Sequence, residues 1–122
     1  IAIGRSGLIY VADAGNDRVV VFDAFGGFLR TIGGDTLRTP RGITMDRQGR
    51  IYLADTGNHR TVVLSNKGDL LLSFGTEGTG VGSFLRPQDI EIDTESAVYI
   101  VDTGNHRIQK FTLREIEEEQ TK

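Results

Sequence analysis

The sequence of 122 residues is 38% hydrophobic and 25% charged, which is the composition of an ordinary globular domain. It contains no cysteine, so disulfides, thiolate nucleophiles and cysteine metal sites are excluded, and no apolar run reaches the roughly 18 residues that span a bilayer. No signal peptide is recognisable, so we expect no membrane partner and leave the compartment open, with a lean toward the cytoplasm.

The predicted secondary structure is all β. Sixteen glycines and no tryptophan indicate a chain that turns often, and short apolar runs lie between turns containing Gly or Asn, the residues that tight hairpins use for positive φ. In chain order, the predicted strands cover residues 1–3, 8–12, 18–22 and 27–32, then 42–46, 50–54, 60–64 and 69–74, then 90–93, 97–101 and 107–111. Residues 112–116 then form either a strand or a short helix.

A six-residue signature recurs between the second and third strands of each group. It reads Asp-Ala-Gly-Asn-Asp-Arg at residues 13–18 and Asp-Thr-Gly-Asn-His-Arg at residues 55–60 and 102–107. The spacing lies in the range of one four-stranded propeller blade. The chain is therefore predicted to be a repeat protein made of antiparallel meanders.

The second repeat resembles a known family. Residues 40–60 read Pro-x-Gly-Ile-x-x-Asp-x-x-Gly-x-Ile-Tyr-x-Ala-Asp-Thr-Gly-Asn-His-Arg, and residues 99–109 repeat the later part of this pattern. Both closely resemble the NHL repeat, and the resemblance extends to about residue 111. It implies an all-β partial propeller of about three blades, each a four-stranded antiparallel sheet, with the first and last blades incomplete.

The predicted propeller segment covers residues 1–113, and an acidic tail follows at 114–122. Three blades are fewer than the four to eight that close a ring. Further blades from the same protein or from a second copy are therefore expected to complete it. The predicted repeats cover about residues 1–36, 37–83 and 84–113.

The Asp and Arg of each signature flank the same turn, so we expect them to pair across the hairpin. The carboxylate would accept N–H groups of the turn while the guanidinium holds it in place. A feature present in every repeat usually serves the repeat, so we interpret these pairs as structural. They are Asp13 with Arg18, Asp55 with Arg60, and Asp102 with Arg107.

The two histidines, His59 and His106, occupy equivalent turns and are expected at the same rim of the propeller. Asp17 replaces the histidine in the first signature, so no third imidazole is present. Catalytic zinc generally keeps three protein ligands, and we therefore predict no metal and assign these side chains to hydrogen bonds within the turn.

Basic residues concentrate in one part of the second repeat, at Arg38, Arg41, Arg47 and Arg50. NHL propellers of tripartite-motif proteins can bind RNA through a basic surface, so the resemblance makes this cluster a candidate surface for RNA or for a protein partner. RNA surfaces also use stacking aromatic residues, which form only 7% of this chain.

These patterns favour a non-enzymatic interaction module that presents propeller loops to a protein partner. An RNA-binding NHL propeller is the first alternative, and part of a propeller hydrolase or lyase with its site in other blades is the second. No nucleophile pairs with a base and an oxyanion donor, so we predict no catalytic residues and no cofactor.

Overall fold

The computed structural model describes residues 1–33 and 35–113, which contain eleven strands and three short 3-10 turns. The predicted acidic tail and most of the element predicted at 112–116 lie outside the described residues. The strands are β1 (Ala2–Ile3), β2 (Ile9–Asp13), β3 (Arg18–Phe22), β4 (Phe28–Gly33), β5 (Pro40–Met45), β6 (Ile51–Asp55), β7 (Arg60–Leu64), β8 (Leu70–Phe74), β9 (Asp89–Ile92), β10 (Ala97–Asp102) and β11 (Arg107–Thr112).

The strands form three antiparallel sheets in which neighbours in sequence are neighbours in space. The first sheet contains β1 to β4, the second β5 to β8 and the third, within the described residues, β9 to β11. The prediction of all-β meanders is confirmed. The strand β5 begins at Pro40, two residues before its predicted start, because Pro40 still pairs with Asp55 beyond a register shift.

The core consists of two apolar layers, one between each pair of adjacent sheets. Alternation along β7 serves both, since Val62 and Leu64 pack in the layer against the first sheet and Val63 packs in the layer against the third. The second layer includes Phe84, which is fully buried and lies with Phe74 and Phe111 at ring-centroid distances of 5.1 to 6.3 Å. The sheets are therefore held face to face by side chains that neither sheet could bury alone.

The first strands of the sheets lie close together, as the inner strands of a propeller do. Strand β5 contacts both β1 and β9, and a Cβ added at Gly42 would lie 2.6 Å from the Cα of Asp89. The hydroxyl of Thr44 also donates to Glu91 Oε1 at 2.9 Å, from β5 to β9. The glycine is required here for close approach of two backbones.

The turns between strands differ in one respect from the prediction. Gly49 and Gly68 adopt positive φ, 81° and 98°, as expected for hairpin glycines. In the second signature, however, His59 is the left-handed residue, with φ of 53°, and neither Gly57 nor Asn58 is. The prediction that Gly or Asn supplies positive φ is wrong for this turn, because a 3-10 turn precedes the left-handed residue and shifts it to the fifth position.

Candidate functional site

The signature has the same backbone conformation in all three repeats. Its middle residues form a 3-10 turn, and its fifth residue is left-handed, with φ of 55°, 53° and 54° in the three copies. The Asp before the turn and the Arg after it lie directly opposite each other in the ladder between the second and third strands. The sheet itself therefore places a carboxylate beside a guanidinium.

The predicted pairing across each hairpin is present. In every pair the Arg Nε donates to Asp Oδ2, at 2.9 Å for Asp13–Arg18, 2.8 Å for Asp55–Arg60 and 2.9 Å for Asp102–Arg107. The pairs differ in burial, since the side chains of Asp55 and Asp102 are fully buried whereas that of Asp13 is 28% exposed.

The second signature also holds the chain segment that arrives from the preceding sheet, here called the connector. Asp55 Oδ1 accepts the backbone N–H of Arg38 at 2.8 Å, and the N–H of Gly57 donates to the carbonyl of Arg38 at 2.8 Å. A Cβ at Gly57 would lie 2.4 Å from Arg38 Cγ, so only glycine lets the connector approach. Both backbone polar groups of one connector residue are thus satisfied by the signature.

The Asn and Arg of the signature bind the connector two residues earlier. Asn58 Nδ2 and Arg60 Nη2 donate to the carbonyl of Thr36 at 3.0 and 2.6 Å. Asn58 Nδ2 also donates to Asp55 Oδ2 at 2.9 Å, so the contacts to Thr36 and those to Arg38 belong to one hydrogen-bond network. We call the Asp, Gly, Asn and Arg of a signature its connector clasp.

The third signature binds a longer connector through the same backbone groups, but its Asn105 Nδ2 donates to the carbonyl of Gly78, at 2.9 Å. Asp102 Oδ1 accepts the N–H of Leu85 at 2.8 Å, and Gly104 N–H donates to the carbonyl of Leu85 at 2.8 Å. Arg107 Nη2 donates to the carbonyl of Ser83 at 2.8 Å. The expectation that these carboxylates accept N–H groups of their own turn is wrong for Oδ1, whose donor comes from the connector.

The fifth residue of the signature binds the connector that leaves for the next sheet. His59 Nδ1 accepts the N–H of Arg86 at 3.0 Å, and Asp17 Oδ1 accepts the N–H of Thr39 at 2.7 Å. The prediction that His59 bonds within its own turn is therefore wrong for the side chain. Asp can replace His at this position because both present an acceptor to the same backbone donor.

The other predicted rim residue, His106, lies at the same end of the third sheet and is exposed. Among the described residues no cluster of three His, Asp or Glu side chains is placed as a metal site would require. The described part of the chain also contains no helix with the length and hydropathy to cross a bilayer.

The four candidate arginines do not share one surface. Arg38 and Arg41 lie at the start of β5, whereas Arg47 and Arg50 follow its end, and a six-residue strand is about 17 Å long. Arg50 is only 8% exposed, and its guanidinium donates to Asp46 and Gln48. Closeness in sequence did not translate into one basic patch because a strand separates the two halves.

Hydrogen bonding favours the ionised carboxylates of two signatures. In Asp102, burial opposes ionisation, but donors on Asn105, Leu85 and Arg107 outweigh it and hold the pKa below its usual value. In Asp13, hydrogen bonds from Asn16 and then Arg18 also lower the pKa. The carboxylates of Asp13 and Asp102 therefore accept their hydrogen bonds in the ionised form.

Comparison with known proteins identifies the repeats. The family model described as NHL repeat matches residues 37–64 and 84–111. The second and third repeats are NHL repeats. The two matched segments each run from a connector through the following signature. Each segment therefore contains a clasp together with the connector residue, Arg38 or Leu85, whose N–H and carbonyl the clasp binds.

Solved structures share the fold of these NHL repeats. A nidogen/laminin complex matches with a TM-score of 0.74 and 23% identity over 91% of this chain and 42% of that chain. A streptogramin B lyase matches with a TM-score of 0.70 and 17% identity over 91% of this chain and 39% of that chain. A virginiamycin B lyase from Staphylococcus aureus matches with a TM-score of 0.68 and 14% identity over 93% of this chain and 40% of that chain. The chain thus spans about two fifths of these proteins, and at such identities the likeness shows a propeller fold alone. No curated protein matches the sequence.

Removing the carboxylate of the second clasp, which binds a connector, should cost far more stability than removing that of the first clasp. Asp55→Ala leaves a buried N–H and a guanidinium without their acceptor, and we expect a loss of about 3–5 kcal/mol. Asp13→Ala removes a partly exposed pair that solvent screens, and it should cost much less stability. Urea unfolding of both variants measures the difference, and equal losses would show that the connector contacts do not stabilise the fold.

Acid should weaken the clasp of Asp102 in a defined direction. Because the folded pKa of Asp102 is lowered, its contribution is present above the unfolded value of about 3.9 and is lost as the pH falls through the folded pKa. Asp102→Asn should be less stable than wild type at pH 7 and should lose less further stability below pH 4. Parallel stability curves for the two proteins between pH 7 and pH 3 would contradict this.

Proposed function

We propose that this chain is a non-enzymatic interaction module that presents loops of a partial NHL propeller to a protein partner. The polar groups that recur in the signatures contribute to the fold. In the second and third repeats the carboxylates, amides and guanidiniums bond to connectors, so these side chains serve the fold.

The observation that carries the proposal is an apolar hairpin tip on the first sheet. Phe25, in the turn between β3 and β4, is 99% exposed, and Phe28 and Leu29 just after it are 63% and 45% exposed. In the second sheet Lys67 occupies the position equivalent to Phe25. The aromatic tip is therefore a property of one hairpin and is not required by the repeat.

Exposed aromatic residues of this kind fit a protein-binding role. Burying a phenylalanine side chain contributes about 1.5–3 kcal/mol, and aromatic residues are enriched among the few side chains that dominate interfaces. Within the tip the Asp23 carboxylate accepts the N–H groups of Phe25 and Gly27 at 2.9 and 2.8 Å. These bonds hold the hairpin in one shape without using the rings.

The two other functions considered from the sequence have less support. The candidate RNA surface is divided between the two ends of β5, as described above. The similarity to lyases lies below 20% identity and extends over about two fifths of their length, so it supports the fold and carries no activity to this chain.

Replacing both rings should weaken partner binding without unfolding the protein. In affinity capture from cells that produce this protein, followed by calorimetry with the purified partner, Phe25→Ser with Phe28→Ser should weaken binding at least about tenfold. The urea midpoint should stay close to that of wild type because both rings are exposed.

Lys67→Ser provides the matched control, since it changes the equivalent position of the second hairpin. It should bind as wild type does. Binding that survives loss of both rings would exclude the hairpin tip as the interaction surface.

A further inference from the structure

The turn between β1 and β2 lacks a carboxylate that the equivalent turns of the other two sheets contain. Where the second sheet has Asp46 and the third has Asp93, the first has Gly4. This position faces the second sheet, since a Cβ at Gly4 would lie 3.7 Å from Met45 Cε. The difference is therefore one of amino acid, at a place where both neighbouring sheets are described.

In the second and third sheets this carboxylate accepts three hydrogen bonds. Asp46 Oδ1 accepts the N–H groups of Gln48 and Arg50, both at 3.0 Å. Its Oδ2 accepts the hydroxyl of Tyr52 at 2.9 Å. Asp93 accepts the equivalent three bonds at 2.9 to 3.0 Å, from Glu95, Ala97 and Tyr99. Two backbone N–H groups and one phenol thus form a carboxylate site at this turn.

The first sheet keeps the three donors without the acceptor. They are the N–H groups of Ser6 and Leu8 and the hydroxyl of Tyr10, and within residues 1–33 and 35–113 none of them bonds to an acceptor. The turn itself is unchanged, because the N–H of Gly7 donates to the carbonyl of Gly4 at 3.0 Å and Gly7 has φ of 85°. The donors therefore keep the arrangement that binds a carboxylate elsewhere in the chain.

Tyr10 fixes one side of this site. It is only 2% exposed, in the apolar layer between the first two sheets, and its Cε1 lies 3.5 Å from where a Cβ of Gly4 would be. A buried hydroxyl without a partner costs free energy that an acceptor would recover. The phenol is thus held beside the space that an Asp side chain fills in the other turns.

The space at Gly4 opens into a cavity of about 680 Å³, a volume typical of small-molecule sites. Arg5 and Arg47 line this cavity, and Arg5 Nη1 donates to the carbonyl of Arg47 at 3.3 Å. Across the described part of the chain neither guanidinium forms an ion pair. Two cations without a counter-charge favour an anion in the cavity.

The carboxylates that also line the cavity do not take this role. Asp46 pairs with Arg50, and both oxygens of Asp93 accept bonds within their own turn. In the first sheet Leu8 replaces Arg50, so the turn supplies no cation of its own. The charge of an anion bound there would be balanced by the two arginines of the cavity.

We propose that the β1–β2 turn binds a small organic carboxylate. One oxygen of the ligand accepts the N–H groups of Ser6 and Leu8, and the other accepts the hydroxyl of Tyr10. The rest of the ligand lies in the cavity beside Arg5. A planar group with two acceptor oxygens fits because the aspartates of the other two turns present the same group to the same donors. The site uses none of the residues of the apolar hairpin tip.

The first test is an NMR titration of the labelled protein with sodium acetate, with sodium chloride at equal ionic strength as reference. The amide resonances of Ser6 and Leu8 should shift and saturate, with a Kd of about 1–10 mM for so small a ligand. The amides of Gln48 and Arg50 serve as internal controls and should not shift, because Asp46 already binds them. Shifts that do not saturate, or that chloride reproduces, would overturn the proposal.

Gly4→Asp places the chain's own carboxylate in the site. The added Cβ meets atoms only at 3.5 Å or more, so the variant should fold. It should abolish the acetate shifts and raise Tm by about 2–5 °C, because the three donors gain an acceptor. Gly4→Ala controls for the loss of backbone freedom and should raise Tm less. Acetate shifts that persist in Gly4→Asp, or equal gains in Tm for both variants, would contradict the assignment.

Tyr10→Phe removes one donor and keeps the ring. It should weaken acetate binding at least about threefold and leave Tm nearly unchanged, since the hydroxyl has no partner among the described residues. Tyr99→Phe is the matched control, because it removes the equivalent hydroxyl of the third sheet, where Asp93 is the acceptor. It should leave acetate affinity unchanged. Equal affinities of wild type and Tyr10→Phe would overturn the proposed geometry.

Discussion

The fold depends on a buried carboxylate that accepts a backbone N–H from another part of the chain. Asp55 and Asp102 each sit at the end of a second strand, fully buried, and each satisfies the connector on one side and its own Asn and Arg on the other. Burial of a charge is costly unless every acceptor is used. In these clasps one carboxylate oxygen accepts an N–H of the segment that joins two sheets. This hydrogen bond offsets the cost of burying the charge where the sheets meet.

The apolar layers and the clasps then act together. The layers give the sheets their affinity for one another but no fixed register, since dispersion and apolar burial are non-directional. The clasps are directional, and each places a large apolar connector residue, Leu37 or Phe84, into the layer beside it. His59 and Asp17 add a further bond to the outgoing connector, so the second signature contacts chain segments on both sides.

The sequence predicted the strands and the Asp–Arg pairs because both follow from local spacing, alternation along a strand in one case and opposition across a short turn in the other. It did not predict the connector contacts, since nothing local relates Asp55 to the N–H of Arg38, 17 residues earlier. For the same reason the sequence does not reveal that Gly57 allows the close approach of Arg38. Arg38 and Arg47 were grouped because they are near in sequence, but the length of β5 holds them apart.

On these contacts the connectors are part of the cooperative core. Native-state hydrogen exchange tests it directly at the N–H groups of Arg38 and Leu85, which lie outside the strands but bond to buried carboxylates. The account predicts that both exchange only on global unfolding, as the core amides of Val62 and Val98 do. Exchange of Arg38 and Leu85 at the rates of exposed loops would contradict it.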